Sequence, residues 1–138
     1  MPKPITERDW KLSGNAKCSD AQRRLLNAAC GDLAAQINWH GFRLSKDDFR
    51  HLLAGTVLRW RLMPGIDVGQ GPGFITLGGS SLELSRSECT DAITLAFHLG
   101  DHPDEQRLKC KPVTWCDVVR GARGISDADE ELAGRYAA

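Results

Sequence analysis

Basic side chains that could hold the phosphates of a nucleic acid occur in three segments of the sequence. Residues 1–24 contain six basic and three acidic residues, residues 42–61 contain five and two, and residues 106–124 contain five and one. The whole chain contains 18 basic and 18 acidic residues, and this net charge of zero weighs against strong binding of a polyanion. A surface that binds nucleic acid would therefore have to gather basic segments on one face.

Polar and aromatic side chains in or near these segments are the candidate DNA-binding residues. Gln22 precedes two arginines at the start of a predicted helix, where free backbone N–H groups and positive charge attract phosphate; alternatively, it only caps that helix. His40, at the predicted end of the same helix, could contact a phosphate or base, or bond the last carbonyl groups. Trp115 lies in a basic segment, and single-stranded bases stack on exposed aromatic rings beside cations. The predicted set is Gln22, Arg23, Arg24, His40, Arg107, Lys109, Lys111 and Trp115.

A metal site is the other chemistry that the residue types suggest. His98, His102, Cys110 and Cys116 are the best candidates, since imidazole and thiolate ligands suit zinc. Against this, Gly100 interrupts the predicted helix between the histidines, and the cysteine spacing is not that of a zinc knuckle. Nothing local supports a Cys or Ser nucleophile, and the glycine-rich residues 65–73 match no nucleotide-binding motif. We therefore expect no metal, no cofactor and no enzymatic activity.

Three predicted helices would position the candidate residues. The first begins after Ser19, with a capping box to Gln22, and ends at about His40 before the left-handed stop that Gly41 would provide. The second begins after Ser45 and ends at the sequence Met-Pro-Gly of residues 63–65, and the third begins after Ser85 and ends at Gly100. The apolar stripe of the first helix comprises Leu26, Ala29, Cys30, Leu33 and Ile37.

Between the second and third helices the pattern changes to strand. Phe74 to Leu77 is rich in β-branched and aromatic residues, Gly78-Gly79 signals a turn, and residues 81–84 alternate in polarity, which predicts a β-hairpin. The fold class expected is therefore α+β, a mostly helical single domain with a small hairpin. We divide it into an irregular N-terminal arm (1–17), a core (18–100) and an extension (101–138) that is first basic and then acidic, with a short acidic helix near its end.

An ordered set of short motifs resembles the NinB family of phage recombination proteins. The set comprises Ser19-x-x-Gln22, Gly31-Asp32, Trp39-His40-Gly41, Met63-Pro64-Gly65, the run from Gly73 to Ser81 and the helix after Ser85. It covers about residues 18–100. The resemblance implies a dimer that binds single-stranded DNA and assists recombination. Asn27 stands where the family pattern has an aromatic residue, and Glu83 where a basic residue is common.

The resemblance, taken with the basic segments, implies sequence-independent binding of single-stranded DNA in phage recombination, without catalysis, by a homodimer that helps load a recombinase onto coated strands. An adaptor that contacts the single-strand-binding protein and hardly touches DNA is the alternative, and a small zinc-dependent enzyme is a third. Five cysteines, an odd number, predict reduced thiols, and neither a signal peptide nor a transmembrane run is visible. We expect a protein of the host cytoplasm with no membrane contact.

Overall fold

The computed structural model describes residues 4–59, 61–77 and 84–124. These form an α+β domain of five α-helices, one short 3-10 helix and a two-stranded antiparallel sheet, as the sequence predicted. In chain order the elements are α1 (Glu7–Trp10), α2 (Asp20–Gln36), α3 (Lys46–Leu58), β1 (Arg61–Pro64), β2 (Phe74–Leu77), α4 (Arg86–Asp101), the 3-10 helix (Pro103–Gln106) and α5 (Asp117–Ala122).

The three long helices begin where capping residues predict. Ser19 Oγ accepts from Gln22 N at 3.1 Å, and Gln22 Oε1 accepts from Ser19 N at 3.0 Å, which closes the predicted capping box of α2. Ser45 with Asp48 and Ser85 with Glu88 form the same reciprocal pair before α3 and α4. Each cap contributes about 1 kcal/mol, because it satisfies backbone donors that have no partner within the helix.

The core lies between α2, α3 and α4 and draws on the predicted arm and extension as well. All five residues of the predicted α2 stripe are buried. Ile5 and Trp10, from the N-terminal segment, and Val119, from α5, are buried in the same cluster. Trp10 Nε1 donates to the Ala122 carbonyl at 2.9 Å, so the segment expected to be an irregular arm contains a short helix anchored in the core.

Two helix ends differ from the sequence expectation. Helix α2 ends at Gln36, and the chain then makes a tight reversal in which Trp39 and Phe42 exchange two backbone hydrogen bonds of 2.9 Å. His40 and Gly41 both have positive φ, 50° and 93°, the conformation of a type I′ two-residue turn. Helix α3 ends at Leu58 and not near residue 63, because Arg59 adopts the left-handed conformation with φ of 55°.

Strand β2 forms a hairpin with a strand that the sequence did not predict. Strand β2 pairs with β1, with Arg61 opposite Leu77 and Pro64 opposite Phe74, and the glycine-rich residues 65–73 are its loop. Asp67 Oδ1 fixes that loop by accepting from Gly69 N at 2.8 Å and Gly71 N at 3.1 Å. Of the predicted partner strand, residues 81–83 lie outside the described residues, while Leu84 is buried in the helical core.

Several expectations fall on parts of the chain that the structure does not describe. Glu83, the Gly78-Gly79 turn, Trp60 on the second helix and the acidic helix near the C-terminus all lie there. No helix within the described ranges has the length and apolar character needed to cross a membrane.

Candidate nucleic-acid interface

Gln22 was predicted to contact DNA, but it lies in the core. Its side chain is fully buried, and its Nε2 donates to Trp10 O at 2.9 Å, Arg86 O at 3.1 Å and Thr90 Oγ1 at 3.1 Å. Its Oε1 accepts from Ser19 N in the cap of α2. The amide therefore joins the N-terminal segment, α2 and α4, and it has no polar atom left for a DNA phosphate.

Trp115 was predicted to stack on bases, but its ring is not exposed. Only 6% of the residue is accessible, its ring packs edge-on against Phe97 with 5.6 Å between centroids, and Nε1 donates to Asp101 Oδ1 at 2.9 Å. Gly100 lies against the ring so closely that a methyl group there would overlap it. Thus Trp115 is a core residue and not a platform for bases. Gly100 of α4 has no side chain and so leaves room for the ring.

Asp101, the acceptor for Trp115 Nε1, also forms an ion pair. Arg123 pairs with Asp101 through two hydrogen bonds of 3.0 and 2.7 Å. Burial acts to raise the pKa of Asp101, but the hydrogen bonds from Arg123 and Trp115 outweigh it and hold that pKa below its usual value. Arg123 therefore belongs to a structural cluster, although it lies in the basic segment that the sequence offered for DNA.

His40, Arg107 and Lys109 are brought together by the fold. They line one open cleft with a volume of about 280 Å³, together with Asn38 and Gly41. We call this opening, which Leu108 and Cys110 also line, the turn cleft. Three of the eight predicted site residues thus share a surface, although His40 and the two cations are far apart in sequence.

Local backbone geometry explains why these side chains face outward. His40 is at the tip of the tight turn after α2, and Arg107 has φ of 60° where the 3-10 helix ends. Leu108 is buried between the exposed Arg107 and Lys109 and so anchors the segment that presents them. Lys111 is exposed two residues further on, but it does not line the turn cleft.

Phe42 is an aromatic candidate that the sequence analysis missed. It follows Gly41 on the same turn, and 66% of its surface is exposed. An exposed ring beside cations is the combination that binds single-stranded bases. The sequence Trp-His-Gly-Phe could have indicated this exposure, because a two-residue reversal leaves the residues around it at a surface. The prediction of a helix that continues to His40 excluded such a reversal.

Arg23 and Arg24 are exposed at the other end of α2. About 20 Å of helix separates Arg23 from Gln36, at 1.5 Å per residue, so these arginines and the turn cleft form two distinct basic groups. A hydrogen bond with Cys18 is the main reason that the pKa of Arg23 lies above its usual value. Asn27 accepts from Arg50 Nη1 at 3.2 Å.

The four zinc candidates are not gathered into one site. His98 and His102 have ring centroids 5.1 Å apart, but His98 pairs with Glu105. Cys110 lines the turn cleft, and Cys116 precedes α5 with its N–H donating to Asp32 Oδ2 at 2.9 Å. Within residues 4–59, 61–77 and 84–124, no three His, Cys, Asp or Glu side chains are placed to hold a metal ion.

The buried thiols behave as core residues, as the sequence predicted. Cys30 and Cys89 are fully buried on α2 and α4, and burial raises the pKa of each to about 12. Burial likewise raises the pKa of Cys116 above its usual value. All five cysteines are free thiols in the structure.

Comparison with solved structures supports the fold. A structure described as a structural-genomics NinB superposes with a TM-score of 0.54 at 22% sequence identity, covering 91% of this chain and 76% of the other. At this level of identity the match establishes the shared fold alone.

Sequence comparisons give the family. The chain is 29% identical over 99 residues to protein ninB of Salmonella phage P22 and 25% identical over 99 residues to protein ninB of Enterobacteria phage P21. These matches cover 72% of this chain but only 61% and 60% of the relatives, so the chain spans about three fifths of their length. The family model described as NinB protein matches residues 13–102, which is most of the chain. The chain therefore belongs to the NinB family.

Proposed function

We propose that this protein binds single-stranded DNA without sequence preference during phage recombination, and that it acts without catalysis. In this role it helps load a recombinase onto strands coated by single-strand-binding protein in the host cytoplasm. Family membership supports the recombination setting, because that is what the NinB resemblance implies. The observation that carries the proposal is the turn cleft, where two cations and a histidine line an open surface, and the exposed Phe42 follows Gly41 on the same turn.

The chemistry of the turn cleft suits a single strand better than a duplex. Arg107 and Lys109 would neutralise backbone phosphates, while Phe42 offers a face on which an unpaired base can stack. Bases inside a duplex are already stacked and cannot reach such a ring without unpairing. None of these contacts reads a particular base, so the expected binding is independent of sequence.

Paired charge reversals test the proposed site. Arg107→Glu with Lys109→Glu should weaken binding to all single strands and reduce the slope of log affinity against log salt by about 1.4, at about 0.7 for each phosphate neutralised. Arg23→Glu with Arg24→Glu is the matched control, since it makes the same charge change at the opposite end of α2. Equal losses from both pairs would mean that DNA follows both basic groups, and no loss from the Arg107 pair would rule out the turn cleft.

A homodimer is the proposed assembly, and the hairpin is its proposed contact surface. The strands and their loop expose Ile66, Val68, Phe74 and Ile75, and Phe74 is 72% accessible. Apolar surface of this extent on a small domain usually marks an interface. Light scattering should give twice the 15.2 kDa chain mass at micromolar concentration, and Phe74→Asp should shift it toward one chain. A wild-type mass near 15.2 kDa would contradict the dimer.

An adaptor function is the second candidate, and a specific cleft favours it. Trp39, Leu52 and Leu99 help line a largely apolar cleft of about 180 Å³ between α3 and α4, which could receive an apolar side chain of a protein partner. The net charge of zero also agrees with contact to a protein such as the single-strand-binding protein. Capture of that protein by a variant with a disabled turn cleft would separate this function from DNA binding.

A further inference from the structure

Two cysteines from distant parts of the sequence meet at a small cavity. The backbone N–H of Cys18 donates to Leu84 O at 3.2 Å, and Lys17 forms an antiparallel bridge with Ser85, so the segment before α2 lies along the start of α4. Cys89 is one helical turn beyond Ser85. This arrangement places Cys18 and Cys89 together in the lining of one cavity.

The surroundings of the two sulfur atoms differ in a way that assigns them separate roles. Cys18 is half-buried, whereas Cys89 is fully buried behind it. Reactive cysteines lie in electropositive, partly exposed surroundings, and Arg23 lines the cavity together with Cys18. Cys18 is therefore the sulfur that a reagent from solvent reaches first, and Cys89 is the sulfur placed to react second.

The cavity itself has the size and polarity for a small peroxide. Its volume is about 70 Å³, several times the roughly 10–15 Å³ that a cavity needs to hold one water molecule. Arg23, Asn27 and Arg50 line it together with both cysteines. Arg50 Nε is buried and has no hydrogen-bond partner in the described part of the chain, so a donor is available to an oxygen atom in the cavity.

We propose that Cys18 and Cys89 form a peroxide-reactive pair that closes to a reversible disulfide between the segment before α2 and helix α4. The Cys18 thiolate attacks hydrogen peroxide, forming an S–O bond and breaking the O–O bond, and the departing hydroxide takes a proton to become water. The Cys89 sulfur then attacks the Cys18 sulfenic acid, forming the S–S bond and breaking the S–O bond. The Cys89 proton leaves with the second hydroxide as water, so two thiols and one peroxide give one disulfide and two waters.

The full chain, reduced and then treated with hydrogen peroxide, tests this proposal directly. Intact mass should fall by two hydrogen atoms, two of the five thiols should become closed to alkylation after denaturation, and a non-reducing peptide map should link Cys18 to Cys89 within one chain. Dithiothreitol should reverse all three changes. A disulfide joining two chains, or oxidation without a link between these two residues, would overturn the proposal.

Three variants separate the two roles and supply a control. Cys89→Ser should stop at a Cys18 sulfenic acid that dimedone traps, whereas Cys18→Ser should form no disulfide. Cys110→Ser is the matched control, because Cys110 is also half-buried but lies at the turn cleft, and it should form the disulfide like wild type. Oxidation of Cys110 as fast as that of Cys18 would overturn the role assigned to Cys18, because exposure alone would then set the rate. Should a variant fail to fold, the wild-type peptide map still decides the outcome.

Discussion

Replacing Gln22 tests whether this residue holds the fold together or contacts DNA. Gln22→Met keeps the volume of the side chain and removes its hydrogen bonds. Trp10 O also accepts from Leu12 N at 2.9 Å, and Arg86 O also accepts from Thr90 Oγ1 at 3.0 Å, so Ser19 N is the main group that would lose its partner. We therefore expect Gln22→Met to cost about 1–3 kcal/mol of unfolding free energy, the range for removing one partner of a polar group that is shielded from water.

Gln22→Glu should cost more and should respond to pH. Its carboxylate can still cap Ser19 N, but its second oxygen would face the carbonyl groups of Trp10 and Arg86, so we expect a loss of about 3–5 kcal/mol near pH 7. Burial beside two carbonyl groups raises the folded-state pKa of the new carboxyl above about 4.3, its unfolded value. The cost is thus present at pH values above the raised pKa and diminishes as the pH falls toward about 4.5.

Urea unfolding followed by circular dichroism at about pH 7 and about pH 4.5 measures both effects. The stability gap between Gln22→Glu and wild type should narrow at the lower pH, while the gap for Gln22→Met should stay constant. Folded Gln22→Met should bind single-stranded DNA as tightly as wild type. A Gln22→Met variant of unchanged stability that binds DNA more weakly would refute the structural role and return Gln22 to the interface.

Three further predictions concern the core. Leu33→Ala should cost about 2–5 kcal/mol in urea unfolding, because Leu33 is fully buried on α2; a change below about 0.5 kcal/mol would contradict that packing. Trp115→Ala should cost about 3–5 kcal/mol and, once folded, leave DNA affinity unchanged, whereas a selective loss of affinity would contradict the burial. Asp101→Asn should be less stable than wild type near neutral pH, and the gap should close as the pH falls below the lowered pKa of Asp101, because the ionised carboxylate supplies that stability; a gap independent of pH would count against the Arg123 pairing.

Local sequence predicted where the helices begin, because a capping box is complete within four residues. It predicted their ends less well. A helix continuing to His40 and a reversal at His40 and Gly41 both place Gly41 at a positive φ, so the glycine alone does not decide between them. The strand Arg61–Pro64 was missed because its pairing with Phe74–Leu77 spans the glycine-rich loop and leaves no local pattern.

The site was predictable in part. Basic residues at a surface are recognisable from sequence, and Arg107 and Lys109 are indeed exposed. Whether an aromatic ring is exposed depends on distant residues. Trp115 is buried because Gly100 leaves room for its ring and Asp101 accepts its N–H, and neither relation is visible along the chain. The meeting of His40 with two cations likewise depends on tertiary packing.

Salt-titrated binding of the wild-type protein to a single strand and to a duplex of the same sequence tests the proposed function most directly. We predict binding to single strands of any sequence, weaker binding to the duplex, and log affinity that falls linearly with log salt with a slope of about −0.7 for each phosphate contacted. Absence of single-strand binding even at low salt, with continued capture of the single-strand-binding protein, would contradict DNA binding and leave the adaptor function in its place.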